Sequence, residues 1–125
     1  MIKSISNEEY VDFLRKNQAL RKQVSINQKG QHFGYFCDEK MVGVISKNET
    51  KTTIRIKGFM VNEEYTMNGI GTKLLAYLLN DEKDMTAFAT VHSRGIFEKA
   101  DFKIKSKCNK NIVFMKRKAK KGKKN

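Results

Sequence analysis

Hydrophobic and polar positions follow two different periods along this chain, and the changes between them mark its elements. Ile2 to Ile5 has the length and apolar ends of a first strand. Ser6-Asn7-Glu8-Glu9 has the form of a capping box, with Ser6 as N-cap and Glu9 three residues on. Tyr10, Phe13, Leu14 and Asn17 then share one side at helical spacing, which predicts a helix with a half-buried face. Residues 19–30 are polar and irregular, with room for a second short helix. From His32 the period becomes two. Phe33–Cys37 and Met41–Ile45, joined by Asp38-Glu39-Lys40, read as a hairpin, and Lys47–Lys51 as a second polar turn. Thr53–Val61 alternates, with Ile54, Ile56 and Gly58 facing one way and Arg55, Lys57 and Phe59 the other. These three strands make an antiparallel meander.

The helical period returns after the polar loop Asn62–Asn68. Gly69–Asn80 places Ile70, Leu74, Leu75, Leu78 and Leu79 on one face of a helix. After a turn at Asn80–Asp84, Thr86–Val91 is nearly all apolar, as expected of a strand covered on both faces. Ser93–Ala100 reads as a short helix with Ser93 as N-cap. Phe102–Lys105 and Asn111–Met115 read as the last two strands, joined by a turn at Lys107–Lys110. The strand–helix–strand unit in the middle implies one parallel pair beside antiparallel neighbours.

A chain of 125 residues has room for one domain and one core. No apolar run approaches the ~20 residues of a membrane span, and Met1–Asn7 lacks the apolar stretch of a signal peptide. Cys37 and Cys108 lack paired spacing and read as reduced, buried thiols. A cytoplasmic protein with no membrane partner is therefore expected. Charge adds a boundary. The net charge is +13, and Lys116–Asn125 alone carry seven of the 26 basic residues and no acidic one, leaving 19 basic against 13 acidic elsewhere. A folded region over 1–115 and a disordered basic tail over 116–125 are expected, the tail attracting polyanions such as nucleic acid through Lys116–Lys124.

The chemistry concentrates at Met67-Asn68-Gly69-Ile70-Gly71-Thr72, between a strand and a helix. Glycine lets the backbone approach an anion closely and take unusual dihedrals. The first amides of the helix have no internal partner, and the helix dipole adds to their attraction for phosphate. Two glycines alone also suit a tight turn that binds nothing.

The wider stretch Gly58-Phe59-Met60-Val61-Asn62-Glu63-Glu64-Tyr65-Thr66-Met67-Asn68-Gly69-Ile70-Gly71-Thr72-Lys73-Leu74-Leu75 resembles the acetyl-CoA segment of the GCN5-related N-acetyltransferases (GNAT). Ile96-Phe97-Glu98-Lys99-Ala100-Asp101-Phe102 is similar to that family's second segment, at matching spacing, and Val42-Gly43-Val44-Ile45 sits where the family has its third strand. The resemblance spans about residues 33 to 115. It implies an α/β fold: a mixed, mostly antiparallel sheet, flanked by helices, whose central parallel strands splay apart. It implies acetyl-CoA or another acyl-CoA as cofactor, with Met60 and Val61 on the pantetheine and Met67, Asn68, Gly69, Ile70, Gly71, Thr72 and Lys73 around the pyrophosphate. It further implies a small-molecule or protein amine as acceptor, and admits a homodimer.

Three positions depart from the family pattern. Thr66 stands where Arg or Gln usually opens the phosphate loop, with Lys73 one turn away as a replacement charge. Phe97 stands where a Tyr usually protonates the leaving thiolate, and Gly58 where many members keep a Glu base. The reaction asks for a base and for donors to an oxyanion. His92 and Ser93, at the end of the strand Thr86–Val91, are the first candidates, with Glu63 and Glu64 as alternative bases and Cys108 and Tyr65 as alternative acids. His32, His92, Cys37 and Cys108 lack metal-ligand spacing, so no metal is expected. Three functions compete: an N-acyltransferase, a nucleic-acid-directed enzyme of the same fold, and a non-catalytic domain that binds CoA or nucleic acid.

Overall fold

The computed structural model describes residues 1–17, 29–91 and 93–120, with Thr66 and Met67 through their backbone alone. The short helix expected within residues 19–30 falls largely outside these. The elements are β1 (Ile2–Ile5), α1 (Asn7–Lys16), β2 (Gln31–Cys37), β3 (Lys40–Glu49), β4 (Thr53–Val61), a 3-10 helix (Glu63–Asn68), α2 (Ile70–Leu78), β5 (Asp84–Thr90), α3 (Arg94–Lys99), β6 (Lys103–Lys107) and β7 (Ile112–Arg117). One sheet contains all seven strands in the order β1-β2-β3-β4-β5-β7-β6. Among the described strands, only β4 and β5 run parallel. The mixed sheet is the one expected.

The capping box forms as the sequence predicts. Ser6 Oγ accepts from the Glu9 amide at 3.0 Å, and Glu9 Oε1 accepts from the Ser6 amide at 2.9 Å. The α1 face is more deeply buried than expected, because Tyr10, Val11, Phe13 and Leu14 all pack onto the sheet beside Ile5, Val44 and Met60. A second, larger core lies on the opposite face, where α2 and α3 cover Ile45, Ile54, Ile56, Met85, Ala87 and Met115.

Several readings differ from the expectation. β3 continues to Glu49 through residues expected to turn, since Lys47 and Glu49 pair across 2.7 Å and still hold the ladder. The turn is Thr50–Thr52, closed by Thr50 N donating to the Thr53 carbonyl at 2.8 Å. α2 ends at Leu78, and Leu79 is extended but still packs against the core. β5 is covered on one face rather than two: Met85, Ala87 and Ala89 are buried, whereas Phe88 is 52% exposed. β7 runs to Arg117, two residues into the segment expected to be a tail. Arg117 is buried there, donating from Nε to the Ala100 carbonyl at 3.0 Å and pairing with Asp81 at 2.7 Å. Lys116 pairs with Asp84 and Lys120 with Asp101. These cations belong to the folded surface.

The strict alternation expected for β4 breaks at Gly58. Val44 pairs with Met60 but Ser46 pairs with Lys57, so Gly58 and Phe59 together oppose Ile45, which is a β-bulge. Gly58 adopts φ +60°, and a Cβ on it would lie 1.6 Å from the Tyr10 hydroxyl. It faces α1, not the α2 side shared by Ile54 and Ile56. Past the bulge Met60 also faces α1, and Phe59 packs with the α2 side.

Tyr10 is fully buried and stacks on His32, with ring centroids 4.1 Å apart and planes within 8°. His32 Nδ1 lies 2.9 Å from Ser46 Oγ, while Nε2 is buried with no partner among the described residues.

Two outcomes follow for stability. Gly58→Ala should cost about 2–5 kcal/mol, from the positive φ and the collision with Tyr10; Tyr10→Phe in the same chain should restore part of it. Chemical denaturation that finds Gly58→Ala within about 0.5 kcal/mol of the parent would remove the case for a tight contact. Burial holds the His32 pKa below its ordinary value. The unfolded chain then binds a proton that the folded chain refuses, so stability is full above about pH 6.5 and declines below it, by at most about 1.4 kcal/mol per pH unit. Melts between about pH 7.5 and 5.5 should show this slope, and His32→Gln should flatten it.

Candidate active site

The loop after β4 is tied down before the helix begins. Asn62 donates its amide to the Val42 carbonyl at 2.7 Å, and its side-chain oxygen accepts from the Glu64 amide at 3.0 Å. The 3-10 helix follows and ends at Gly69, whose φ of 73° favours glycine. Gly69 is also the residue from which α2 starts. No side chain caps that start, and the first-turn amides have no partner within the helix. A Cβ on Gly69 would meet nothing within 4 Å, so the turn opens to solvent.

Gly71 does a different job from the one its motif suggests. It is buried, and a Cβ there would approach Ile96 Cδ1 to 2.9 Å and Phe59 Cζ to 3.3 Å. Its missing side chain lets α2 seat against α3 and the β4 bulge. The Lys73 ammonium lies 5.9 Å from the centre of the Tyr35 ring, within cation–π range.

Beside this turn the sheet parts. β4 and β5 are in register only from Thr53↔Asp84 to Ile56↔Ala87. Beyond the bulge, β4 stays paired with β3 out to Gly43↔Val61. Its other edge leaves β5, which keeps its own pairing with β7 as far as Thr90↔Ile112. A cleft of about 270 Å³ fills the gap. Ile56, Lys57, Gly58 and Phe59 form one wall; Phe88, Thr90 and Ile112 form the other; Ser93, Phe97 and Cys108 complete it. The closed end of the V is clamped. Lys83 reaches both Glu49, at 2.6 Å, and the Thr50 carbonyl, at 2.7 Å, and with Lys47 it holds the Glu49 carboxyl down to about 2.

The expected residues divide around this cleft. Ser93 lines it, but its hydroxyl does not cap α3; it turns back to accept from the Thr90 amide at 3.1 Å. Glu63 and Glu64 are exposed on the 3-10 helix and are not in the cleft wall. Tyr65 is half-buried against the α2-side core, with Lys40 5.8 Å from its ring centre. Met60 turns its side chain to α1, leaving its backbone to the β4 edge. Val61 is half-buried, and Asn68, Thr72 and Lys73 are exposed. His92 lies outside the described residues. Cys108, expected to be buried, is exposed at the cleft, and both thiols are free. Phe97 is 2% exposed, edge-on to Phe59 and Phe102 at 5.7 and 5.0 Å.

Sequence reading missed Lys57, Phe88 and Ile112 as cleft residues. Lys57 is one cation among alternating positions, and nothing local marks where a strand loses its neighbour. Among the described residues the wall includes no carboxylate. Among the described residues there is no cluster able to hold a metal ion, and no helix is long and apolar enough to cross a membrane.

An arrangement of this kind suits a slender ligand with an anionic end. The uncapped amides of α2 can take a diphosphate, and the free edge of β4 can hydrogen-bond an amide-bearing arm entering the cleft.

The sequence matches the acetyltransferase (GNAT) domain family over residues 2–117. A search of curated proteins by sequence found no match. Among solved structures, the ribosomal-protein-S18-alanine N-acetyltransferase from Escherichia coli aligns with a TM-score of 0.75 at 11% identity, covering 100% of this chain and 97% of that one. The IAA acetyltransferase from Bacillus cereus ATCC 14579 gives 0.74 at 17% identity, covering 94% and 98%. The PaiA N-acetyltransferase from Thermoplasma acidophilum, in complex with coenzyme A, gives 0.69 at 13%, covering 94% and 98%. At these identities the likeness speaks for the fold. Because the family match runs from the first strand to the last, the chain belongs to the GNAT acetyltransferases, whose cofactor is an acyl-CoA.

Proposed function

We propose that this protein transfers an acyl group, most simply acetyl, from acyl-CoA to a primary amine. The observation that carries the reading is the parting of β4 from β5 beside the uncapped start of α2. In this reading the pyrophosphate is held at the start of α2 by the first-turn amides of Ile70, Gly71 and Thr72, the amides at the end of the 3-10 helix being taken by its own bonds. The backbone of Met60 and Val61 pairs with the pantetheine arm. Bound acyl-CoA supplies the activated thioester. The β4 backbone near Gly58, past its last pairing with β5, lines the cleft and steadies negative charge on the acyl oxygen.

The amine needs to lose a proton. We assign that step to His92, adjacent in sequence to Ser93, which lines the cleft. Glu64 is the second choice, because it sits outside the cleft wall. Ser93 and Cys108 bring labile protons to the side where the thiolate departs, a role that Phe97 cannot fill.

Acetyl-CoA at about 100 times its dissociation constant should stabilise the fold by about 2.7 kcal/mol. Gly69→Asp puts a carboxylate at the helix start, in a conformation Asp tolerates. It should leave the melting temperature of the free protein nearly unchanged and weaken acetyl-CoA at least about tenfold, by repelling the diphosphate. Unchanged affinity in calorimetry would remove the turn from the cofactor site. His92→Ala should lower kcat by about 10²–10⁴ while acetyl-CoA binding is retained. Full activity in this variant would move the base elsewhere. Binding without turnover on any amine would favour a non-catalytic domain.

A further inference from the structure

On its β5 and β7 side the cleft wall continues into an open face of the sheet. Alternation along β5 and β7 places Thr86, Phe88 and Thr90 beside Lys116, Phe114 and Ile112, on the face away from α2. Phe88 and Phe114 lie 5.1 Å apart between ring centres, and Phe88 is 52% exposed. Arg55, in register with Thr86, and Lys57 flank them from β4. On the far side every residue of β6 is exposed; Lys103, opposite Lys116, shares the aromatic face, Lys105 sits at the bulge between Ile104 and Ser106, and Lys107, opposite Val113, lies on the other face. No carboxylate occurs on β4, β6 or β7. Asp84, at the start of β5, pairs with Lys116 at 3.4 Å.

Lysines on an edge strand commonly serve to block edge-to-edge pairing. That role accounts for β6 alone. It does not account for Arg55 and Lys57 on an interior strand, nor for an exposed phenylalanine between the two sets. A polycationic amine would meet only like charge here. A polyanion is matched by the cations, and a polyanion that also carries flat rings is matched by Phe88 and Phe114. Nucleic acid has both, and bases become free to stack on aromatic side chains when the strand is single. RNA presents single strands, loops and ends as its ordinary state.

We propose that the β5-β7-β6 face docks single-stranded RNA, and, resting on the acyltransferase reading, that the acceptor amine is carried by that RNA. Phe88 belongs both to the face and to the cleft wall, so a nucleotide stacked on it has its substituents at the cleft. The transfer balances simply. The amine nitrogen forms a bond to the acyl carbon and the thioester carbon–sulfur bond breaks. The amine gives its proton to the base, and the sulfur leaves as the CoA thiol.

The test is fluorescence anisotropy of an unstructured, pyrimidine-rich single-stranded RNA with the full chain, across a range of salt. Binding should weaken linearly in log–log salt. Charge reversal at Arg55 and Lys103 together should cost at least about tenfold and flatten the salt slope by about 1.4. Phe88→Ala should also cost about tenfold but leave the salt slope unchanged, and Phe88→Tyr should restore binding, because stacking is what is lost. Both sites are exposed, so the variants should fold, which a thermal melt checks. Absence of RNA binding, Phe88→Ala binding like the parent, or duplex DNA or polyglutamate competing as well as RNA would each overturn the proposal. Acetyl-CoA titration of the same samples separates the two readings. Acetyl-CoA binding without RNA binding sinks this inference and leaves the acyltransferase; RNA binding without acetyl-CoA binding sinks the acyltransferase and keeps the docking face.

Discussion

The site depends on a single break in hydrogen bonding, the point at which β4 stops pairing with β5. Buried backbone groups rarely go without partners, so an interior strand that leaves its neighbour after four residues of register needs a cause and a compensation. The cause is local. The bulge at Gly58 and Phe59 bends β4, and Tyr10 fills the space that any side chain at 58 would take. The compensation, on the proposed function, is the ligand, whose amides complete the edge that β5 abandons. The closed end of the V cannot drift in turn, because Lys83 ties the β3–β4 turn to the start of β5 and Arg117 ties the end of β7 to Ala100, Asn80 and Asp81.

The same break distributes labour between the two faces of the sheet. On one face α2 and α3 build the larger core, and Gly71 lets them close on Phe59 and Ile96. On that face the start of α2 packs, at Gly71, against Phe59 of the cleft wall. On the other face α1 packs over β1 to β4, where His32 and Ser46 sit under Tyr10. The β5-β7 part of that face keeps Phe88 exposed. A donor held from the helix side and an acceptor arriving over the aromatic face would meet at Gly58, where the strand edge is free.

What could be read from the sequence was what short range decides. The capping box at Ser6 and Glu9, the hairpin at Asp38-Glu39, and the strand period of Thr53–Ile56 each depend on neighbours within a few positions, and each formed. The bulge did not show itself, because Gly58 looks like one more inward position until Tyr10, 48 residues earlier, is seen against it. The two glycines of the turn looked alike, yet Gly69 serves the backbone and Gly71 the packing. Arg117 read as one cation of a tail because its carbonyl partners at Ala100 and Asn80 are set by the fold. The near-apolar run of β5 suggested cover on both faces, since hydropathy cannot distinguish a buried phenylalanine from an exposed one.

Phe97 shows how far a motif constrains chemistry. At the position where the family resemblance expects a phenol, this chain has a ring held edge-on between Phe59 and Phe102 on the floor of the cleft. The ring therefore supports the wall that the bulge creates, and that role survives without a hydroxyl. A departing thiolate still requires a proton. The Ser93 hydroxyl is engaged by the Thr90 amide, whereas the Cys108 side chain stands exposed at the cleft. On the proposed reaction, Cys108 is the cleft side chain that can supply the proton Phe97 cannot.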